Sequence, residues 1–456
     1  MKFCVEIETM RRLGGWRSRC VTALLCAVSS TATGQLTFDH APIHYSTTTP
    51  VDAIAKLQAR LDDGDSRLAF DKEHGYLKSV LEELQISVST QLLVFSKTSL
   101  QQHAIFPWSP RAIYYNDESY VGWVPGAAEI EISTVDPRQG AIFYTLRQRR
   151  SERPRFIRDR GNCLSCHATR RTQSVPGHLV RSVYPSSNGL PHFHAGTFRS
   201  NHSLPLSQRW GGWFVTGTHG LQRHMGNVVA PDRDRPTELD IERGANVVDL
   251  KDRTRIERYL TKHSDIVALL VLDHQVDMHN LITRANYDAR EALHSAAVMN
   301  KAFGRPRGHL SDSYRNRLDR AVERLLRYML FVDEARLTDT TAGTSDFAAG
   351  FSALGPRDRF GRSLRDLDLE RRLLRYPCSY LIYSDAFRAL PTIVKDRVYG
   401  RLLEILISKD RSETYAHLSR DDREAILQIL LDTHDELANY ARHFDRHFDP
   451  GRKARF

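Results

Sequence analysis

Cysteine is scarce in this chain: six among 456 residues, three of which (Cys4, Cys20 and Cys26) fall within the first 34. Only Cys163, Cys166 and Cys378 lie beyond that point, so a fold held together by disulfides is excluded. Long apolar runs are also missing. After residue 34 none approaches the 18 consecutive residues that mark a membrane span, and no integral span is expected in the mature chain. A second cysteine pair or a cysteine–histidine set of zinc-finger spacing is absent, and no nucleic-acid-binding module is expected. Proline and glycine total 44 residues, about 10%, too few for a low-complexity or collagen-like chain. No internal repeat stands out. These absences leave a globular chain long enough for one large core or two to three ordinary domains.

The beginning of the chain has the layout of an export signal. Arg11, Arg12, Arg17 and Arg19 precede the apolar segment from Cys20 to Val28, and small residues follow from Ser29 to Gly34. Residues 1–34 are therefore expected to be a signal peptide, with cleavage after Ala32 or Gly34, and the mature protein is expected in the periplasm or otherwise exported. Cys378 then stands unpaired in an oxidising compartment. Its surroundings, Tyr376 to Tyr383, are largely apolar, which predicts a buried small hydrophobe.

The most informative stretch is Gly161-Asn-Cys-Leu-Ser-Cys-His167. Within it C-x-x-C-H is the attachment signature for a c-type haem. Two thiols three positions apart reach the two vinyl groups of one porphyrin, and the adjacent imidazole meets the iron. Cys163 and Cys166 are thus the expected covalent anchors and His167 the proximal ligand. A redox dithiol or half of a zinc site would use the same pair of cysteines. The immediate histidine and the missing second pair weaken both.

The residue facing the other side of the iron has several candidates. Met225, His224 and His219 lie together in Gly217 to Asn227, and Met225 follows His167 by 58 positions. His274, Met278 and His279 form a second group, with His274 and Met278 on one helical face. His192, His194 and His202 form a third, weaker one. Open iron is the remaining option. In that case His219, Arg223 and His224 are candidate catalytic residues, a base moving a proton while the cation stabilises charge on a bound peroxide or oxyanion.

The C-x-x-C-H from Cys163 to His167 resembles the c-type cytochromes. That resemblance implies one covalent haem c and iron cycling between two oxidation states. It covers five residues; the rest of the chain is far longer than a small cytochrome c and carries a β section that family lacks. Longer phrases, Tyr114 to Trp123, Trp210 to Gly220 and Arg375 to Ser384, are similar to those of large exported bacterial proteins with a single C-x-x-C-H, a resemblance that implies no particular reaction.

Periodicity divides the chain after the signal into a mixed α/β region, 35–250, and a mainly helical region, 251–456, the two sharing one core or not. Short helices are expected at Val51 to Leu61 and Lys78 to Leu84, while Val88 to Phe95 is ambiguous. Ala112 to Tyr115, Tyr120 to Val124, Glu129 to Ser133 and Ala141 to Leu146 alternate and are separated by turn residues, an antiparallel meander. Helices are expected at Arg253 to Leu260, Ile266 to Ala297, Ser313 to Asp333, Leu364 to Leu374, Lys395 to Ile407 and Arg420 to Phe444, with a loop or lid from Thr338 to Gly355. The fold class is α+β, with an antiparallel β-rich centre carrying the haem motif and a helical C-terminal portion.

The formal charge is +10, and most of the excess is arginine. It is either a solvated surface or an attraction to an acidic redox partner, a polyanion or membrane headgroups. The leading functional expectation is an exported mono-haem electron-transfer protein with a redox protein partner. A haem c oxidoreductase or peroxidase-like enzyme on a small substrate is the alternative, and a haem-based sensor or structural module the third.

Overall fold

Asp52 accepts hydrogen bonds from the N–H groups of Ile54 and Ala55 and so starts helix α1 (Ala53–Asp63), which Gly64 ends in the left-handed region. The other carboxylate oxygen of Asp52 accepts from Tyr144 Oη at 2.7 Å, fixing the helix to the sheet. Helix α2 (Leu77–Glu83) follows, and then the strands begin. The structure, a computed structural model, describes residues 37–444. The expected export signal lies outside these residues.

Strands β1 (Leu92–Val94), β2 (Arg111–Tyr115), β3 (Ser119–Trp123), β4 (Glu129–Asp136), β5 (Gly140–Arg147) and β6 (Phe156–Arg158) pair antiparallel in sequence order. The four-strand meander expected between 111 and 147 is therefore present, with boundaries moved by one to three residues. Helix α3 (Leu164–His167) is a single turn. Next come a two-stranded ribbon, β7 (Arg181–Val183) with β8 (Thr197–Arg199), and then β9 (Trp213–Phe214), which joins the main sheet beside β1 as its seventh strand.

Register defines two faces. Tyr115 lies opposite Tyr120, Tyr120 opposite Ser133, and Ser133 opposite Phe143. One step along, Ile113, Gly122, Glu131 and Thr145 continue the same face. Helix α4 (Ile266–Ala302) covers the tyrosine end: Tyr115 Oη donates to the Ala268 carbonyl and Gln275 Nε2 donates to Tyr120 Oη. Ile113, Glu131, Ser133 and Thr145, farther along, stay half-exposed. Of these, Glu131 lies within electrostatic reach of Cys163 and His167 in the C-x-x-C-H turn.

At 37 residues, α4 is about 55 Å long by the helical rise. Its first 18 residues are buried without interruption, so it is the axis of the molecule rather than a surface helix. A bridge of β10 (Gly217–Thr218) and β11 (Ala342–Gly343) lies against its start. Against it pack α5 (Asp312–Met329), α6 (Phe347–Ala353), α7 (Asp385–Arg388) and α8 (Thr392–Leu406), while α9 (Arg420–Thr433) and α10 (Asp435–Ala441) pack on α8 and on each other. One hydrophobic cluster runs from Leu92 and Tyr120 on the sheet through Leu269 to Leu402 and Ile429. The β-rich and helical regions thus share a core, and the fold is α+β. No helix among the described residues is long and apolar enough to cross a membrane.

Several expected elements are different. Leu364 to Leu374 is not helical: Asp368 Oδ1 accepts from the N–H groups of Glu370 and Arg371, closing a turn with Leu369 at φ +60°, and Leu367 bridges Leu374. Arg253 to Leu260 keeps only a 3₁₀ turn, Ile256–Arg258, with Tyr259 tied through its hydroxyl to the Pro110 carbonyl. The expected lid contains β11 and α6, and Phe347 and Phe351 anchor it in the core. The last helix breaks at His434, whose Nδ1 caps α10 by accepting from Leu437 N–H. Cys378 is fully buried, as expected.

Asp265 caps α4 through Val267 and Ala268, while its second oxygen accepts from Thr344 N–H, Ser345 N–H and Ser345 Oγ. Asp265→Ala removes a cap and strands several buried donors at once. A loss of about 2–4 kcal/mol is expected, read as a lower urea midpoint with an unchanged slope.

Candidate functional site

The C-x-x-C-H turn is built on a carboxylate. Asp159 follows β6 directly; its Oδ2 accepts from the N–H groups of Gly161 and Cys163, both at 3.0 Å, and its Oδ1 accepts from Asn162 Nδ2. Burial alone would raise the Asp159 carboxyl, but these N–H donors outweigh it and hold it below the ordinary aspartate value. The turn then runs into α3 with Cys163 at its head and His167 at its end.

Cys163 is half-buried, Cys166 is exposed, and neither forms a disulfide. Burial, reinforced by the Asp159 and Glu131 carboxylates, pushes the Cys163 thiol up to about 12. A reactive dithiol needs the opposite, a thiolate stabilised near neutrality. Among the described residues no three His, Cys, Asp or Glu side chains converge as a metal site, so the half-zinc reading finds no further ligands.

His167 is oriented from behind. Its Nδ1 lies 3.0 Å from the Gly177 carbonyl, and its own carbonyl accepts from Gly177 N–H at 2.8 Å. A carbonyl only accepts, so the proton is on Nδ1 and the lone pair on Nε2. Burial lowers the His167 pKa, which keeps the ring neutral. A neutral imidazole whose other nitrogen donates to a backbone carbonyl is the form that ligates metals. Phe143 packs against the ring at 5.0 Å between centroids. Two unpaired thiols and a neutral imidazole with a free Nε2 are the donor set that a covalently attached porphyrin would take.

Gly177 has a second task. A Cβ there would lie 2.2 Å from Asn280 Oδ1, and this close approach lets Asn280 of α4 accept from His178 N–H and donate to the His178 carbonyl. His178 was not among the residues singled out by sequence. It is buried between Tyr120, at 4.4 Å, and Phe143, at 6.2 Å, and neither ring nitrogen has a hydrogen-bond partner. Burial, then the nearby His279 and His167, push it well below the ordinary histidine value. A lone histidine in Val-Pro-Gly-His has no spacing that would mark it; only the three-dimensional arrangement does.

The candidates for the far side of the iron are distributed differently. His279 reaches the same ring cluster through His178, at 6.5 Å, with Nε2 donating to the Asp117 carbonyl and Nδ1 unpartnered. His219 is occupied at both nitrogens, by the Gln222 carbonyl and by Asn246 N–H. His224 Nδ1 accepts from Gly226 N–H, and the two rings lie 4.8 Å apart. Met225 Sδ is 3.7 Å from Ser182 Oγ, and Arg223 is held by Glu242 at 2.7 Å. His274 sits between His202 Nδ1 and Ser379 Oγ, in a stack with Tyr328 and Phe331. Met278 is sealed in the hydrophobic core. His192 and His194 face each other in the β7–β8 connection. The rings of His219, His224 and His274 thus find neighbours other than His167.

Comparison with protein-family models, with curated proteins and with solved structures gave no match.

Because Asp159 is held below its ordinary value in the fold, its contribution is present above about pH 4 and is lost as pH falls through the depressed value. Acidification is therefore expected to loosen residues 161–163 before the sheet unfolds. Hydrogen exchange at the amides of Gly161 and Cys163, compared between pH 6 and pH 3 and corrected for intrinsic rates, reports it; Asp159→Asn should show fast exchange at both.

Proposed function

We propose that this protein is a mono-haem c electron-transfer protein acting outside the cytoplasm. The observation that carries the reading is the tautomer of His167, whose Nδ1 proton is committed to Gly177 and whose Nε2 lone pair is free beside two unpaired thiols. Cys163 and Cys166 would form the thioethers, and His167 would be the axial ligand. When bound, the porphyrin iron supplies a one-electron couple whose potential depends on that ligand and its surroundings.

The protein's own residues contribute order. Asp159 fixes the turn, so the two sulfurs are presented from one helical turn rather than from a mobile loop. The Gly177 carbonyl sets the rotation of the imidazole and raises its donor strength, and Asn280 holds the 177–178 backbone against the central helix. Phe143, packed on the His167 ring, would supply an apolar contact beside the porphyrin, whose chemistry would be outer-sphere electron exchange.

An oxidoreductase or peroxidase-like reading draws less support. It would use His219, Arg223 and His224, but His219 has no free nitrogen and Arg223 is turned to Glu242.

Protein secreted by cells competent for c-type maturation should retain its porphyrin through acid–acetone extraction and give a pyridine haemochrome band. Cys163→Ala/Cys166→Ala should abolish the retained porphyrin while leaving the far-ultraviolet dichroism unchanged, and His167→Ala should alter the ferric spectrum. Folded wild-type protein with both thiols free to alkylation and no porphyrin would overturn the proposal.

A further inference from the structure

We infer that the arginine-rich strip from Arg147 to Arg171 is a docking face for an acidic protein; that this partner exchanges electrons at the C-x-x-C-H turn rests on the haem reading. Charge in this molecule is unevenly placed. Residues 147–171 hold nine arginines, no lysine and two acids, a net +7. The described residues 37–444 carry 56 basic and 51 acidic residues, a net +5, so the rest of that body is −2. The positive excess of the described residues therefore lies in the 25 residues that enclose the motif.

These arginines are not neutralised internally. Arg147 and Arg155 have distant or exposed carboxylate neighbours, Glu129 at 3.9 Å and Asp62 at 3.4 Å, and Arg158 turns inward to the carbonyls of Tyr45 and Thr48. Arg149, Arg150, Arg153, Arg160, Arg170 and Arg171 are exposed, and among the described residues none of the six forms an ion pair. They flank β6, an edge strand three residues long and so roughly 10 Å in extent, with the β5–β6 turn at one end and the motif turn at the other. Arg181 extends the strip: it lies in electrostatic reach of Cys166 and Arg171, and its Nε is buried without a partner.

The chemistry favours a protein carboxylate surface over a membrane. Guanidinium groups present a planar fork that matches carboxylate and phosphate alike, so the apolar side chains around them decide between the two. Membrane-surface segments add a row of large apolar side chains, whereas between residues 147 and 171 Ile157 is the single exposed one, and beside Arg181 only Phe193 is added. A field of this kind raises encounter rates with an oppositely charged partner and fades with salt.

The test compares Arg149→Glu/Arg150→Glu/Arg153→Glu with an equal charge change elsewhere, Arg305→Glu/Arg307→Glu/Arg320→Glu, in the haem-loaded full chain. Poly-L-glutamate stands in for the acidic partner, and its affinity at low salt should fall roughly tenfold in the strip variant and at most about twofold in the control. Oxidation of the reduced protein by hexacyanoferrate(III) should slow in the same order, and oxidation by the cationic tris(phenanthroline)cobalt(III) should quicken. Equal effects of the two variants, or none, would overturn the inference. So would a strip variant that loses binding to vesicles of anionic lipid while keeping its affinity for poly-L-glutamate, which assigns the strip to a membrane. The haemochrome band separates the two readings: without porphyrin the electron-transfer proposal fails, and the poly-L-glutamate titration still decides the docking face.

Discussion

The fold depends on how helix α4 satisfies polar groups inside a hydrophobic core. A buried polar side chain is costly unless it is hydrogen-bonded, so each such residue on this helix constrains the element it touches. Gln275 receives Tyr380 Oη and donates to Tyr120 Oη, joining a helical-region residue to the sheet. Asp273 accepts from Trp210 Nε1 and pairs with Arg209; Asp277 accepts from Asn201 Nδ2 and lies 3.5 Å from Arg199. Burial raises the Asp273 carboxyl above the ordinary aspartate range even with Arg209 beside it. Asn280, two turns farther along, holds both polar groups of the His178 backbone.

That last contact links the axis to the site. The peptide that α4 holds through Asn280 is the one whose preceding carbonyl orients His167. A displacement of α4 would therefore move the imidazole without touching the C-x-x-C-H itself. The motif supplies reactive groups, but their direction comes from a glycine ten residues away and an asparagine more than a hundred residues away.

Legibility followed the range of the interactions. The meander was readable because alternation and turn residues act locally, and its four central strands lie where Ala112 to Leu146 placed them. Helices α4, α5 and α8 were readable by period. Leu364 to Leu374 was misread as a helix because its apolar spacing is helical, while the decisive feature is one side chain: Asp368 captures two backbone N–H groups and forces Leu369 to a positive φ. The histidines at 219, 224 and 274 have the composition of iron ligands, yet His219 and His274 spend their nitrogens on internal hydrogen bonds that no spacing could reveal. His178 escaped notice for the converse reason, since its significance lies in what surrounds it.

The β6 edge has a further consequence. Its three residues are the outer strand of a seven-stranded sheet, where Gln58 Oε1 of α1 accepts from Phe156 N–H, and an edge strand of that kind invites another chain to continue the ladder. A second copy approaching there would bring its own cluster of guanidinium groups against an identical cluster. Like-charge repulsion thus opposes self-extension of the sheet at this edge.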